Sequence, residues 1–99
     1  MYASMSSFSA NGIDLSEAAR LAGESMEEWM RGFDGYLGLL MLTGDDNARV
    51  ISFWESREAV ERSSRGRTTV RDAMAARIGV TLESVETYEV SHRADLDLG

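Results

Sequence analysis

The most apolar stretch of the chain, residues 35–56, predicts two β-strands joined by a polar turn at 44–47. Side chains alternate between the two faces of a strand. The first strand has Leu37, Leu39 and Met41 on one face and Tyr36, Leu40 and Leu42 on the other; the second has Ile51 and Phe53 opposite Val50 and Trp54. A hairpin with one solvated side would alternate apolar and polar positions. Both faces therefore need a cover, and in so short a chain the pattern predicts helices on one face and a second copy, hence a homodimer, on the other.

Apolar residues at steps of three and four from Leu15 to Phe33 predict a first helix. Asp14 and Glu17 have the spacing of a capping box at its start, and Gly32 is a stop. Residues 56–79 predict two shorter helices, one that Ser56 caps and that loses its pattern at 63–66, and one that begins at Thr69 and ends at 79. The arrangement predicts a broken helical region after the hairpin.

Residues 2–9 and 83–92 predict the outer strands, and the tail 93–99 is expected to fray, with Leu96 and Leu98 available to a partner. The element order is then strand, helix, strand, strand, helical region, strand. Right-handed crossovers turn this order into a ferredoxin-like α+β fold, a four-stranded antiparallel sheet with helices on one face. We expect residues 1–99 to form a single domain of this kind.

Composition narrows the chemistry. The 99 residues contain no cysteine and no lysine, which excludes disulfides, thiolate nucleophiles and Schiff-base mechanisms. A net charge of −7 argues against nucleic-acid binding, which depends on neutralising phosphates. No apolar run approaches the ~20 residues that span a bilayer, and the N-terminus lacks the features of a secretory signal. We therefore expect a cytoplasmic protein with no membrane or nucleic-acid partner.

Three stretches are shared with a known group of proteins: GYLGLLML at 35–42, ISFWESREA at 51–59 and SVETYEVSHR at 84–93. They resemble the antibiotic-biosynthesis-monooxygenase-like family of dimeric α+β barrels, and the similarity in element order covers nearly the whole chain. The resemblance implies two sheets packed face to face in a homodimer, with a ligand cavity between sheet and helices. Family members include cofactor-free oxygenases of polyketide quinones and haem-degrading enzymes, and many others have no assigned activity.

The haem-degrading branch is disfavoured. Its members resemble one another in an asparagine on the first strand and in a tryptophan and a histidine on the helical region after the third strand. Here the first strand offers serines, residues 56–78 contain neither Trp nor His, and the single histidine of the chain is His92, on the predicted last strand. We therefore expect no haem and no other cofactor. One histidine also makes a histidine-based metal site unfavourable.

His92 is the candidate catalytic residue, because its ordinary pKa lies near neutrality and it could remove a phenolic proton from a substrate. The alternative is an ordinary histidine at a strand end. Candidates for a pocket around a flat aromatic ligand are Trp29, Tyr36, Trp54 and Tyr88, although core packing explains the same residues. The arginine-rich region 57–77 could receive an anionic substrate or a carboxylate of the partner subunit, and a solvated helix face is the competing explanation. Arg71 is the candidate to test, because it opens the better-formed of the two helices.

Two functions stay open at this point. One is a cofactor-independent monooxygenase acting on a small aromatic or polyketide-type molecule, in which His92 or a water molecule is the base. The other is a non-catalytic dimeric module that binds a small ligand or serves as an accessory protein. Whether the chain is an enzyme at all therefore depends on the pocket that the fold builds.

Overall fold

A computed structural model describes residues 1–94, the side chain of Leu21 excepted, and within them four strands and two helices. Along the chain these are β1 (Tyr2–Ser9), α1 (Leu15–Met30), β2 (Tyr36–Thr43), β3 (Asn47–Trp54), α2 (Arg57–Ile78) and β4 (Thr81–Glu89). The strands form one antiparallel sheet in the order β2-β3-β1-β4. The predicted ferredoxin-like βαββαβ fold is confirmed. The expected contacts of Leu96 and Leu98 lie outside the described residues.

The two faces of the sheet differ in their cover. On β3, Trp54 points towards the helices and is fully buried against Met30 of α1 and Ala59 and Val60 of α2. Alternation along β3 then places Ile51 and Phe53 on the opposite, helix-free face, as predicted. The helix-free face also carries Met5, Leu40, Leu42 and Tyr88, because each of them pairs across the sheet with a residue whose side chain points to that face.

The register of β2 differs from the prediction at one residue. Its pairing with β3 shifts between Tyr36 and Gly38, which is a β-bulge. The extra residue brings Tyr36 to the helix side together with Leu39, where both pack on the Trp54 cluster. Leu37 was expected to share a face with Leu39, and this was wrong: the bulge leaves Leu37 exposed.

Helix α1 begins as its cap residue predicts. Asp14 Oδ1 accepts a hydrogen bond from the backbone N–H of Ser16 at 3.0 Å. Glu17 does not complete the capping box, because its carboxylate pairs with Arg20 instead, at 2.8 Å. One turn before the helix ends, Glu27 binds Arg31 at 2.6 Å, an ion pair that supports the last turn at i,i+4 spacing.

Helix α2 is continuous, so the predicted break at 63–66 was wrong. Ser63 is buried inside the helix and donates to the Val60 carbonyl, and Thr69 donates back to the Arg65 carbonyl rather than capping a new helix. Gly66 packs against Phe33, which follows the end of α1: a Cβ at residue 66 would lie 2.9 Å from Phe33 Cζ. The glycine that suggests a break is therefore explained by packing between elements.

The ends of α2 follow their predicted signals. Ser56 Oγ accepts from the backbone N–H of Ala59 at 3.1 Å, and Gly79 ends the helix in the left-handed conformation, with φ of 93°. Strand β4 ends at Glu89, three residues short of the predicted 92. Within the described part of the chain, neither helix has the length and apolar character needed to cross a membrane.

Candidate functional site

A cavity of about 90 Å³ lies between the helix-covered face of the sheet and the two helices. The strands contribute alternate residues to its lining, and the helices contribute residues at steps of three and four. The lining from β1 and β3 includes Ser4, Ser6, Phe8, Val50 and Ser52, and that from the helices includes Ala22, Met26, Trp29, Arg67, Arg71, Met74 and Ile78. The hydrophobic stripes that pack the helices on the sheet thus also build the cavity wall.

Methionine is prominent in this wall. Met26, Met30, Met41 and Met74 are four of the six methionines in the chain, and all four line the cavity. Methionine has three rotatable bonds and fills irregular gaps, so such a lining adapts to the shape of a guest. The cavity volume therefore describes one arrangement of a deformable wall.

Arg67 is held firmly at one side of the cavity. Its Nε donates to Ser63 Oγ at 2.8 Å, one terminal nitrogen donates to Ser4 Oγ on β1 at 3.0 Å, and the other donates to the Val60 carbonyl at 2.8 Å. Its guanidinium carbon also lies 5.2 Å from the centre of the Trp54 ring, a cation–π distance. Every nitrogen of this group thus has a partner, and the group ties α2 to β1.

Arg71 lies one turn further along α2, on the same side of the helix, and is less engaged. Its side chain is 15% exposed, and its buried Nε donates no hydrogen bond. The Asp72 carboxylate lies 3.5 Å from that Nε, but the contact lacks hydrogen-bond geometry and the Asp72 side chain is 61% exposed. Arg71 therefore brings a buried positive charge to the cavity with only a partly solvated counter-charge.

The charge of Arg71 affects the neighbouring Arg67. Burial, and after it the positive charge of Arg71, lowers the pKa of Arg67 below its ordinary value. Within residues 1–94 the cavity lining contains no Asp, Glu, His or Tyr. The third arginine of the lining, Arg49, is exposed at a β3 position that pairs with Ser7. The site is thus electropositive and contains no acidic group and no side chain that titrates near neutrality.

An aromatic cluster adjoins the cavity. Trp29 and Phe33 meet edge to face with their ring centres 4.7 Å apart, and Phe33 and Tyr36 each meet Trp54 edge to face, at 6.2 and 5.6 Å. The Trp54 indole N–H donates to Ser52 Oγ at 2.8 Å, which satisfies a fully buried donor. Only Trp29 of these four rings lines the cavity.

The structure separates the residues that the sequence singled out. Trp29 and Arg71 line the cavity, whereas Tyr36 and Trp54 belong to the adjoining core. Tyr88 lies on the helix-free face of the sheet, 48% exposed, and its hydroxyl donates to the Glu86 carboxylate. The expectation that His92 lies on the last strand was wrong: it follows the end of β4, is exposed and is not among the lining residues.

Arg67, Ser4 and Ser52 are the site residues that the sequence did not single out. A signal for Arg67 exists in the spacing, because Ser63, Arg67 and Arg71 recur every four residues and so share one face of a helix. No comparable signal exists for the serines. Among the residues described, no three His, Cys, Asp or Glu side chains cluster in a way that could hold a metal ion.

Comparison with solved structures identifies proteins that have the same fold. No family model and no curated protein sequence matches the chain, but solved structures do. A proposed antibiotic biosynthesis monooxygenase from Deinococcus radiodurans shares 23% identity over 98% of this chain and 99% of its own, with a TM-score of 0.67. The ActVA-Orf6 monooxygenase of Streptomyces coelicolor, solved with nanaomycin D, shares 18% identity over 99% and 92%, also with a TM-score of 0.67.

A third similar structure is SnoaB from Streptomyces nogalater, a cofactor-independent oxygenase, with 16% identity over 96% of this chain and 95% of its own and a TM-score of 0.63. At these identities the similarity concerns the fold. The chain has the antibiotic biosynthesis monooxygenase fold, and the resemblance predicted from its sequence is confirmed at that level.

Proposed function

We propose that the protein is a cofactor-independent, monooxygenase-like enzyme that oxidises a small aromatic or polyketide-type molecule in the cavity between sheet and helices. The observation that carries the proposal is an apolar, deformable cavity with a buried guanidinium group, Arg71, whose Nε has no hydrogen-bond partner. The fold that the chain shares with SnoaB and ActVA-Orf6 supports the same class of reaction.

The chemistry that suits this cavity begins with an acidic phenol or anthrone. A cation beside such a group lowers its pKa, so Arg71 favours the substrate anion, and a water molecule takes the proton. The electron-rich anion then reacts with O₂ directly. For an anthrone the balance is one O₂ consumed, one oxygen atom bound at the ring carbon as a carbonyl, and the other released in water with the two hydrogens of that carbon.

Trp29 would orient the substrate in this proposal. Its ring lines the cavity and is held from behind by its edge-to-face contact with Phe33. The methionines would yield to the rest of the substrate. His92 and a water molecule were the two candidate bases, and nothing tests that choice directly. Because His92 is exposed and outside the lining within one subunit, water is the base that we assign.

One observation favours a second candidate function, a non-catalytic module that binds a small ligand. The cavity volume of about 90 Å³ is below the roughly 300–1,000 Å³ that is usual for ligand sites. The lining also offers no acid or base near neutrality. On this alternative the cavity takes a small guest and performs no chemistry.

Oxygen consumption with a panel of hydroxyanthrones and hydroquinones decides between the two. We expect turnover by the wild type, a loss of at least about tenfold in Trp29→Ala and Arg71→Gln, and unchanged turnover in Arg65→Gln, an exposed arginine on the same helix. His92→Ala is expected to keep its activity. A His92→Ala variant that is inactive yet folded would contradict the assignment of water as base, and no turnover across the panel would favour the binding module.

A homodimer is part of the proposal, as is a cytoplasmic location. The helix-free face of the sheet is apolar at its centre, with Leu40, Ile51, Phe53 and Met5 as paired neighbours. Packing this face on its copy from a second subunit would remove it from water, which is the dominant favourable contribution to protein association.

Sedimentation tests the dimer. We expect the wild type to sediment as a dimer at micromolar concentration and Ile51→Asp to sediment as a monomer. Ser64→Asp adds the same charge on an exposed position of α2 and should remain dimeric. A wild-type monomer at this concentration would contradict the face-to-face arrangement.

A further inference from the structure

We propose that the cavity selects an aromatic carboxylate, whose carboxylate group binds Arg71 while its ring lies among the methionines and against Trp29. This inference deepens the proposed function, because it names the chemical class of molecule that enters the same site. It concerns binding and holds whether or not the bound molecule is oxidised.

The positive charge of the cavity favours an anion. Arg67 and Arg71 both line the cavity, and no carboxylate lies in the lining within the described residues. A partly buried charge is costly where its counter-charge is weak: Arg71 has only the mostly exposed Asp72 carboxylate, at 3.5 Å, and the neighbouring Arg67 adds repulsion. The depressed pKa of Arg67 has burial and the charge of Arg71 as its causes. A single anion placed beside Arg71 relieves both costs at once.

The two arginines differ in the hydrogen bonds that they already make. Each nitrogen of Arg67 already donates to an oxygen of the protein, so this group is fixed and contributes through its field. Arg71 has a buried Nε without a hydrogen bond. The edge of a guanidinium group that its two terminal nitrogens form matches the two oxygens of a carboxylate, which accept two parallel hydrogen bonds. Arg71 is therefore the binding residue, and Arg67 is a positioning residue.

The rest of the cavity wall indicates what the remainder of the ligand is. Away from the two guanidinium groups the wall is mostly aliphatic, with Met26, Met74 and Ile78 on the helices and Val50 on the sheet. A group with many oxygens, such as a phosphate ester of a sugar, would leave polar atoms unpaired against this wall. A flat apolar ring with one carboxylate meets both parts of the lining.

Calorimetric titration of the whole protein with benzoate and with benzamide, at constant ionic strength, tests the proposal. The two probes have nearly the same shape and differ in charge. We expect wild-type protein to bind benzoate at least about tenfold more tightly than benzamide, since hydrogen bonds to charged groups are the stronger ones. Arg71→Gln should reduce this preference to less than about threefold, and Arg71→Lys, which keeps the charge but not the two-pronged edge, should retain part of it.

Arg65→Gln is the matched control, because Arg65 is exposed on the same helix and outside the lining; its preference should equal that of the wild type. Equal affinity of wild-type protein for the two probes would overturn the inference, as would an undiminished preference in folded Arg71→Gln. The wild-type comparison needs no variant to fold. A preference for benzoate without oxygen consumption would contradict the proposed enzymatic activity and support the inferred ligand class. Turnover together with equal affinities for the two probes would support the activity and contradict the inferred ligand class.

Discussion

Substituting alanine for Gly23 or Gly66 tests how closely each helix packs against the rest of the protein. Both glycines lie in the interior of a helix, Gly23 in α1 and Gly66 in α2. In an exposed helix, alanine is more favourable than glycine by about 1 kcal/mol. Their surroundings differ, and we expect Gly23→Ala and Gly66→Ala to change the stability of the protein in opposite directions.

The magnitude follows from the space at each site. A Cβ at Gly23 would lie 3.4 Å from Met41 Sδ, an ordinary contact with a flexible side chain, so Gly23→Ala should gain about 1 kcal/mol. A Cβ at Gly66 would lie 2.9 Å from Phe33 Cζ. The Phe33 ring cannot move freely, since it is held edge to face between Trp29 and Trp54. Overpacking of this kind costs about 1–3 kcal/mol, so Gly66→Ala should lose about 1 kcal/mol net.

Thermal unfolding at equal protein concentration measures the difference. For a chain of 99 residues, 1 kcal/mol corresponds to about 4–8 °C, so the two variants should differ in Tm by about 10 °C. Equal concentration matters because an associating protein has a concentration-dependent Tm. If Gly66→Ala raised Tm as much as Gly23→Ala, the close approach of α2 to Phe33 would be refuted, and with it the explanation of why α2 is unbroken.

Three further substitutions test single contacts. Ser52→Ala should lower stability by about 1–3 kcal/mol in denaturant unfolding, since it leaves the buried Trp54 indole N–H without an acceptor; Ser52→Thr, which keeps a hydroxyl, should lose less. Burial, and after it the charge of Glu27, raises the pKa of Tyr36 in the folded protein. The contribution of Tyr36 to stability is therefore full below the ordinary pKa of about 10 and is lost as the pH rises through the pKa of the folded state. Tyr36→Phe should show a smaller fall in Tm between about pH 9 and 11. Asn11→Ala should cost about 1 kcal/mol, because the Asn11 amide donates to the Gly79 carbonyl and to Thr81 Oγ1 and its φ of 53° suits asparagine better than alanine; unchanged unfolding would show that these bonds contribute nothing.

The candidate site depends on two arginines that one turn of a helix separates. Arg67 and Arg71 are four residues apart, and both are brought under the sheet because α2 is one continuous helix. If the second helix had begun at Thr69, as the sequence predicted, Arg67 would have been outside it and would not have shared a helix face with Arg71. The packing of Gly66 against Phe33 thus supports the geometry of the site as well as the stability of the fold.

The sequence by itself determined the elements whose signals are local. Two apolar runs around the polar turn at 44–47 specify the hairpin, Asp14 and Ser56 cap the helices, and Gly79 ends α2. These signals act through the backbone of a few neighbouring residues, so they can be recognised without any knowledge of the fold. The order of the elements then sufficed for the ferredoxin-like topology.

Only the tertiary structure decided which side chains meet. Ser4 and Arg67 are 63 positions apart and share a hydrogen bond, and the bulge that turns Tyr36 towards Trp54 exists because β2 pairs with β3. Likewise, the difference in burial between Arg71 and the exposed Arg65 arises only when the sheet covers one face of α2. Burial and contact are properties of packed elements, and a candidate site made of such contacts becomes visible only when the elements are in place.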